Sequence, residues 1–167
     1  MKIIFSRKGF DASAGKVASP ILPSGELCSL PIPESSAHDY ATRYVDLSCG
    51  EYELGKLVCD LTHRRIQAED AAHLDPDLRR DCLHNSTRLP GWRPLFGQAG
   101  AAERHLQNMG VQPGDVFLFY GWFRRVEVWK GVYRYVLDAP DLHVLFGWLQ
   151  IERRVPLAQR EDIPDWA

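Results

Sequence analysis

The chain has 167 residues, 45% hydrophobic and 25% charged, the balance of an ordinary globular protein forming a single domain over 1–167. A formal net charge of −2 argues against tight non-specific nucleic-acid binding, which runs on an excess of Lys and Arg, so a base-reading role needs a local basic patch. No apolar run approaches the roughly 18 residues of a membrane span. Met1-Lys2-Ile3-Ile4-Phe5-Ser6-Arg7-Lys8 turns charged too early for a signal peptide, so no membrane partner is expected.

Lys2 to Phe5 reads as a short buried strand. Ser24-Gly25, between Ile21-Leu22 and Leu27-Cys28-Ser29-Leu30, is a hairpin signal. Residues 34–50 are polar and irregular. Leu54, Leu57, Val58 and Leu61 recur at i, i+3, i+4 and i+7, which predicts a helix over 51–64. Pro76 breaks any helix, and 79–90 reads as loop. Ala99 to Met109 is a second predicted helix, closed by Gly110. From Val111 onward the pattern is β, with a Gly114-Asp115 turn opening a strand near 116–123 and further strands near 130–137 and 142–153. Pro156 and Pro164 mark a loose tail. The expected class is α+β: a mixed or antiparallel β sheet or barrel with two or more helices.

The four cysteines, Cys28, Cys49, Cys59 and Cys82, form no Cys-x-x-Cys pair, so no structural zinc is expected. Free thiols in a reducing compartment, and a cytoplasmic location, are the default. Cys82 with His84 lacks the context of a nucleophilic cysteine. No nucleophile elbow, P-loop or dinucleotide glycine pattern is present.

The most informative stretch runs from Gly91 to Gln150. Phe119-Tyr120-Gly121-Trp122 is echoed by Leu145-Phe146-Gly147-Trp148, which places a Gly-Trp pair on each of two neighbouring strands. Glycine inside a strand gives no packing and lets something approach the backbone. The echo predicts an opening in the sheet walled by Trp122 and Trp148, a platform for a flat ligand such as a nucleobase. The alternative is that both indoles fill a small β core. Gln98 and Gln150 carry a donor and an acceptor side by side and can read a base edge; holding loop backbone is the alternative. Ser6-Arg7-Lys8-Gly9 follows the first strand, so Arg7 and Lys8, together with Arg93 and its neighbour Trp92, are candidates to hold a phosphate-bearing ligand. His73-x-Asp75-x-Asp77 offers three ligands on one face of an extended segment, for a divalent metal or acid–base work if the protein is an enzyme. Capping or ion pairing by these carboxylates is the competing reading.

Phe5-Ser6-Arg7-Lys8-Gly9-Phe10-Asp11, Ser19 to Gly25, Ser29-Leu30-Pro31-Ile32-Pro33, His73 to Arg79, Gly91 to Ala102 and Asp141 to Gln150 resemble, in order, the signature blocks of a bacterial and phage family, the nucleotide modification associated domain of the third type. The resemblance implies association with DNA base-modification systems. The helix, the Gly114-Asp115 turn and the strands that follow are similar, more loosely, to the PUA, ASCH and EVE group of barrels, whose paired strands line a base pocket. Together these imply recognition of a nucleobase or nucleotide, free or in nucleic acid and possibly carrying a modified base, beside partner proteins of a DNA-modification or phage-defence system. The alternatives are a metal-dependent or acid–base enzyme acting on a modified nucleotide, with His73, Asp75 and Asp77 as its catalytic residues, and a non-catalytic interaction subunit.

Overall fold

The computed structural model describes residues 1–34, 42–83, 88–156 and 163–164. Its organising element is a 14-residue strand, β7 (Val116–Trp129), to which four other strands are bonded. β1 (Ile3–Arg7) runs parallel to its first part, with Ile3 opposite Val116 and Arg7 opposite Tyr120. β2 (Ser19–Ile21) runs parallel to it further along, opposite Phe123 to Arg125. β8 (Val132–Tyr135) folds back on its end through a Lys130-Gly131 turn. β9 (Leu142–Gln150) pairs antiparallel with Val116 to Phe123. Two small pairs lie apart: β3 (Ile32–Pro33) with β6 (Ala72–His73), and β4 (Ser48–Cys49) with β5 (Tyr52–Glu53). The fold is α+β with a mixed sheet, and the described strands close no barrel.

Local chemistry explains where β7 begins. Gly114 adopts φ +91°, a conformation that favours glycine, and donates its N–H to Ile151 O at 2.8 Å. Asp115, buried, accepts the backbone N–H of Lys2 at 2.7 Å and of Gln112 at 3.0 Å, which ties the starts of β1 and β7 together. Those two backbone donors hold its carboxyl below the usual range.

The helix predicted over 51–64 is α1 (Leu54–Leu61). It starts late because Tyr52 and Glu53 pair with β4 instead. It ends early because Thr62 turns its hydroxyl onto Val58 O at 2.7 Å, and His63 and Arg64 then take left-handed backbone conformations. Its apolar stripe packs, with Phe10, Leu30, Tyr44 and Leu47, into the larger core. α2 (Gly100–Asn108) follows the predicted bounds, with Gly110 at φ +61° closing it. It buries no residue fully; Leu106 touches the smaller core of Val111, Phe117, Phe119 and Ile151. The Ser24-Gly25 turn is present, with Gly25 N–H on Leu22 O and Ile21 bridged to Leu27. β7 runs past the predicted end at 123 through Arg124 and Arg125, and β9 stops short of 153, at Gln150. Predicted features at 35–41, 84–87 (including His84), 157–162 and 165–167 lie outside the described residues.

Candidate functional site

Along β7, Phe117, Phe119, Gly121 and Phe123 are buried, whereas Val116, Leu118, Tyr120 and Trp122 between them are only half-buried. Side chains alternate across a strand, and residues paired across strands share a face. The register therefore gathers Leu118, Tyr120 and Trp122 with Ile3, Phe5 and Arg7 of β1 and with Trp148, Leu145 and His143 of β9. This outer face is open: Trp148 is 67% exposed, Phe5 64%, Ile3 57% and Leu145 52%. Phe5, Tyr120, His143 and Leu145 line a shallow groove of about 360 Å³, with the Tyr120 and His143 rings 6.4 Å apart. Burying any one of these large side chains would contribute about 1.5–3 kcal/mol, so a sheet face that leaves them in water marks a surface for a ligand or partner.

The two tryptophans occupy opposite ends of this face. Trp148 pairs with Leu118, and Trp122 with His143. Neither is core filler, but they do not wall one pocket: four residues of β7 separate them, about 13 Å at strand rise. The glycines beside them point the other way. A Cβ on Gly121 would meet Lys8 O at 2.8 Å, and one on Gly147 would meet Leu78 Cδ1 at 2.5 Å. The openings expected at the Gly-Trp pairs are thus filled from inside by the protein's own main chain and Leu78.

The other candidates divide by location. Gln150 lies opposite Val116 on the outer face, two residues beyond Trp148, and its amide donates to Gly114 O at 3.2 Å. Arg7 lies opposite Tyr120 at the edge of that face and pairs with Asp11 at 2.7 Å. Lys8 turns inward: its ammonium sits 3.0 Å from Asp75 and 4.4 Å from the centre of the Phe96 ring. Arg93 is paired with Glu152, and Gln98 bonds the carbonyl of its neighbour Gly97. Trp92 is buried, with the Arg88 guanidinium 4.5 Å from its ring centre. Phe5, Leu118, Tyr120 and Leu145 carry no chemical signal in the sequence, and His143, a conceivable further ligand beside His73, Asp75 and Asp77, lies instead on this outer face opposite Trp122. The continuous apolar run 116–123 hides its own alternation, and Lys2 to Phe5, expected as a buried strand, instead leaves Ile3 and Phe5 exposed because alternate side chains of β1 point to the outer face.

His73, Asp75 and Asp77 diverge. The His73 imidazole lies 3.7 Å from Glu34. Asp75, joined to Pro76 by a cis peptide, binds Lys8 and accepts Gly97 N–H at 2.8 Å. Asp77 is buried and paired with Arg88 at 2.5 Å, and burial raises its carboxyl above the usual range. The ion-pairing alternative describes both carboxylates, and among the described residues no three His, Cys, Asp or Glu side chains converge to hold a metal. Asp75 and Asp77 do line a second feature, a cavity of about 160 Å³ whose wall also carries Cys28, Cys49, Cys82 and Arg79. The four cysteines are unbridged.

The sequence family described as nucleotide modification associated domain 3 matches residues 2–167. No curated protein and no solved structure matches the chain. No helix among the described residues is long and apolar enough to cross a membrane.

Proposed function

Because the chain belongs to the nucleotide modification associated domain 3 family, we propose that its outer sheet face is a reader of nucleobases in a single strand, working beside a DNA-modification or phage-defence system. The observation that carries this reading is the co-facial set Phe5, Tyr120, Trp122, His143 and Trp148, unsheathed by any described element. Flat side chains on an open sheet face stack bases at about 1–3 kcal/mol each. With a net charge of −2, the cation that meets the backbone has to be local. Arg7 at the edge supplies a local cation, and Gln150 beside Trp148 supplies an amide for a base edge.

Spacing favours a polymer over a free nucleotide. The indoles stand about 13 Å apart along β7, too far for one base to lie against both. Trp148 with Leu118, the Phe5–Tyr120–His143–Leu145 groove, and Trp122 on the far side of His143 make three successive stations. Sheet faces of this kind stack two or three bases of a single strand.

Fluorescence anisotropy across a series from mononucleotide to decanucleotide single-stranded DNA and RNA tests the reading. Affinity should climb steeply up to about three nucleotides and then level. Equal affinity for mononucleotide and decamer would reduce the site to a one-base pocket. No binding by any oligonucleotide, modified or unmodified, would remove the reading.

A further inference from the structure

Independently of the sheet face, the geometry points to a thiol–disulfide exchange site in the 160 Å³ cavity, with Cys49 as the attacking thiol and Cys28 as the resolving one. Both sulfur-bearing residues line the cavity, together with hydrophobic Leu27, Leu54, Leu74 and Leu78. A cavity of this size holds a ligand about as large as benzene, which suits one arm of a small disulfide.

The surroundings distinguish the two thiols. Arg79 Nη1 lies 3.3 Å from Cys49 Sγ, which also reaches Glu26 Oε1 at 3.5 Å. A guanidinium can only donate, so this contact favours the thiolate. Arg79 is itself fixed by Glu26 at 2.8 Å and Asp81 at 3.1 Å. Cys49 Sγ also lies 4.0 Å from Leu27 O, the carbonyl directly before Cys28, which brings the two cysteines side by side. The proximity of Cys28 lowers the Cys49 thiol from the ordinary range, and that of Cys49, with burial, raises Cys28. The Arg79 contact marks Cys49 as the attacking sulfur, and the cavity is the approach to both buried thiols. Cys82, in the same wall, is raised by burial and takes its contact from Arg88 at 3.0 Å. Cys59 lies on α1 outside the cavity lining and serves as an internal comparison.

The chemistry balances with a low-molecular-weight disulfide, RSSR, as oxidant. Cys49 thiolate attacks one sulfur, forms Cys49–S–S–R and releases RS⁻. Cys28 loses its proton, attacks Cys49 Sγ and expels the second RS⁻, leaving a Cys28–Cys49 disulfide and two reduced thiols.

The test exposes the reduced native chain to 2-hydroxyethyl disulfide and maps the products by peptide mass spectrometry over time. Expected is a Cys28–Cys49 disulfide forming at least tenfold faster than modification of Cys59. Cys28→Ser should instead accumulate the mixed disulfide on Cys49, and Cys49→Ser should leave Cys28 unmodified on the same timescale. Faster labelling at Cys59, a bridge to Cys82, or no reaction in the cavity would overturn the assignment. The wild-type product map decides even where a serine variant fails to fold.

Discussion

Trp122 and Trp148 share one face of the central sheet while standing at its opposite ends, one across from His143 and the other across from Leu118. Two indoles that neither touch nor enter the core are most simply two stations of one extended surface. That surface is separate from the thiol-lined cavity, which lies on the inner side of the sheet between residues 27–31, β4, Leu54 of α1, residues 74–79 and Phe146.

Trp148→Ala should weaken single-strand binding by about 5- to 150-fold, the equivalent of 1–3 kcal/mol of stacking. Its melting temperature should stay close to wild type, because the side chain is two-thirds exposed. Trp92→Ala should do the reverse in stability, losing about 3–5 kcal/mol, because the indole is buried between Arg88 and its surroundings. Anisotropy and thermal melts on these two proteins check both halves; unaltered binding by Trp148→Ala would contradict the stacking role.

Gly121→Ala should destabilise the fold by about 1–3 kcal/mol, since the added methyl meets the Lys8 carbonyl, which is main chain and cannot step aside. Gly147→Ala should cost less, because the obstacle is the far end of the Leu78 side chain. Urea denaturation of the pair gives the ranking, and the opposite order would contradict the inward orientation of these glycines.

Arg88→Met should lose about 3–5 kcal/mol by leaving the buried Asp77 carboxylate without its partner. Adding Asp77→Asn should recover part of that loss. Burial raises the Asp77 carboxyl above its unfolded value, and an acid raised in this way favours the folded state at low pH and loses that advantage as pH rises. The single variant should therefore be least stable at neutral pH and regain stability toward acid, measured as denaturation midpoint against pH.

Asp11 behaves with the opposite sign. Its carboxyl accepts Ser13 Oγ and the backbone N–H groups of Ser13 and Ala14, each at 2.7 Å, which lowers it to about 2. A depressed carboxyl stabilises the folded state above its unfolded value and ceases to do so as pH falls through the folded one. Asp11→Asn should cost about 1 kcal/mol at neutral pH, limited by solvent screening. The gap from wild type should close between about pH 4 and pH 2, read from paired melts.

Legibility differed between levels. The two helices, the Ser24-Gly25 turn and the β-rich C-terminal half were readable because caps, turn residues and periodicity are local signals. That 116–123 and 142–153 share a sheet, directly or across one strand, was readable from the Gly-Trp echo, and the pairing is direct. What the echo could not convey is orientation: a bulge between Phe119 and Tyr120 shifts the register, so Gly147 and Trp148 take their faces from the first half of the ladder and Leu145 and His143 from the second. Parallel addition of β1 and β2 was equally hidden, since it joins segments about a hundred residues apart. The scattering of His73, Asp75 and Asp77 onto three separate partners was invisible for the same reason: Glu34, Lys8 and Arg88 lie elsewhere in the chain.

β7 is the common partner of both N-terminal and C-terminal strands, and this governs how the chain reaches its native state. The tie between Lys2 and Asp115 spans 113 residues, so β1 has no partner in the sheet until β7 has been made. At ribosomal rates of about 5–20 residues per second, the first strand waits on the order of 6–20 s with Ile3 and Phe5 unpaired. Assembly of the sheet then requires closing a long loop before any parallel hydrogen bond forms, which places this fold among slow folders. Until that closure Ile3 and Phe5 lack the strand they lie against in the folded sheet, so β1 stays open to pairing with other chains.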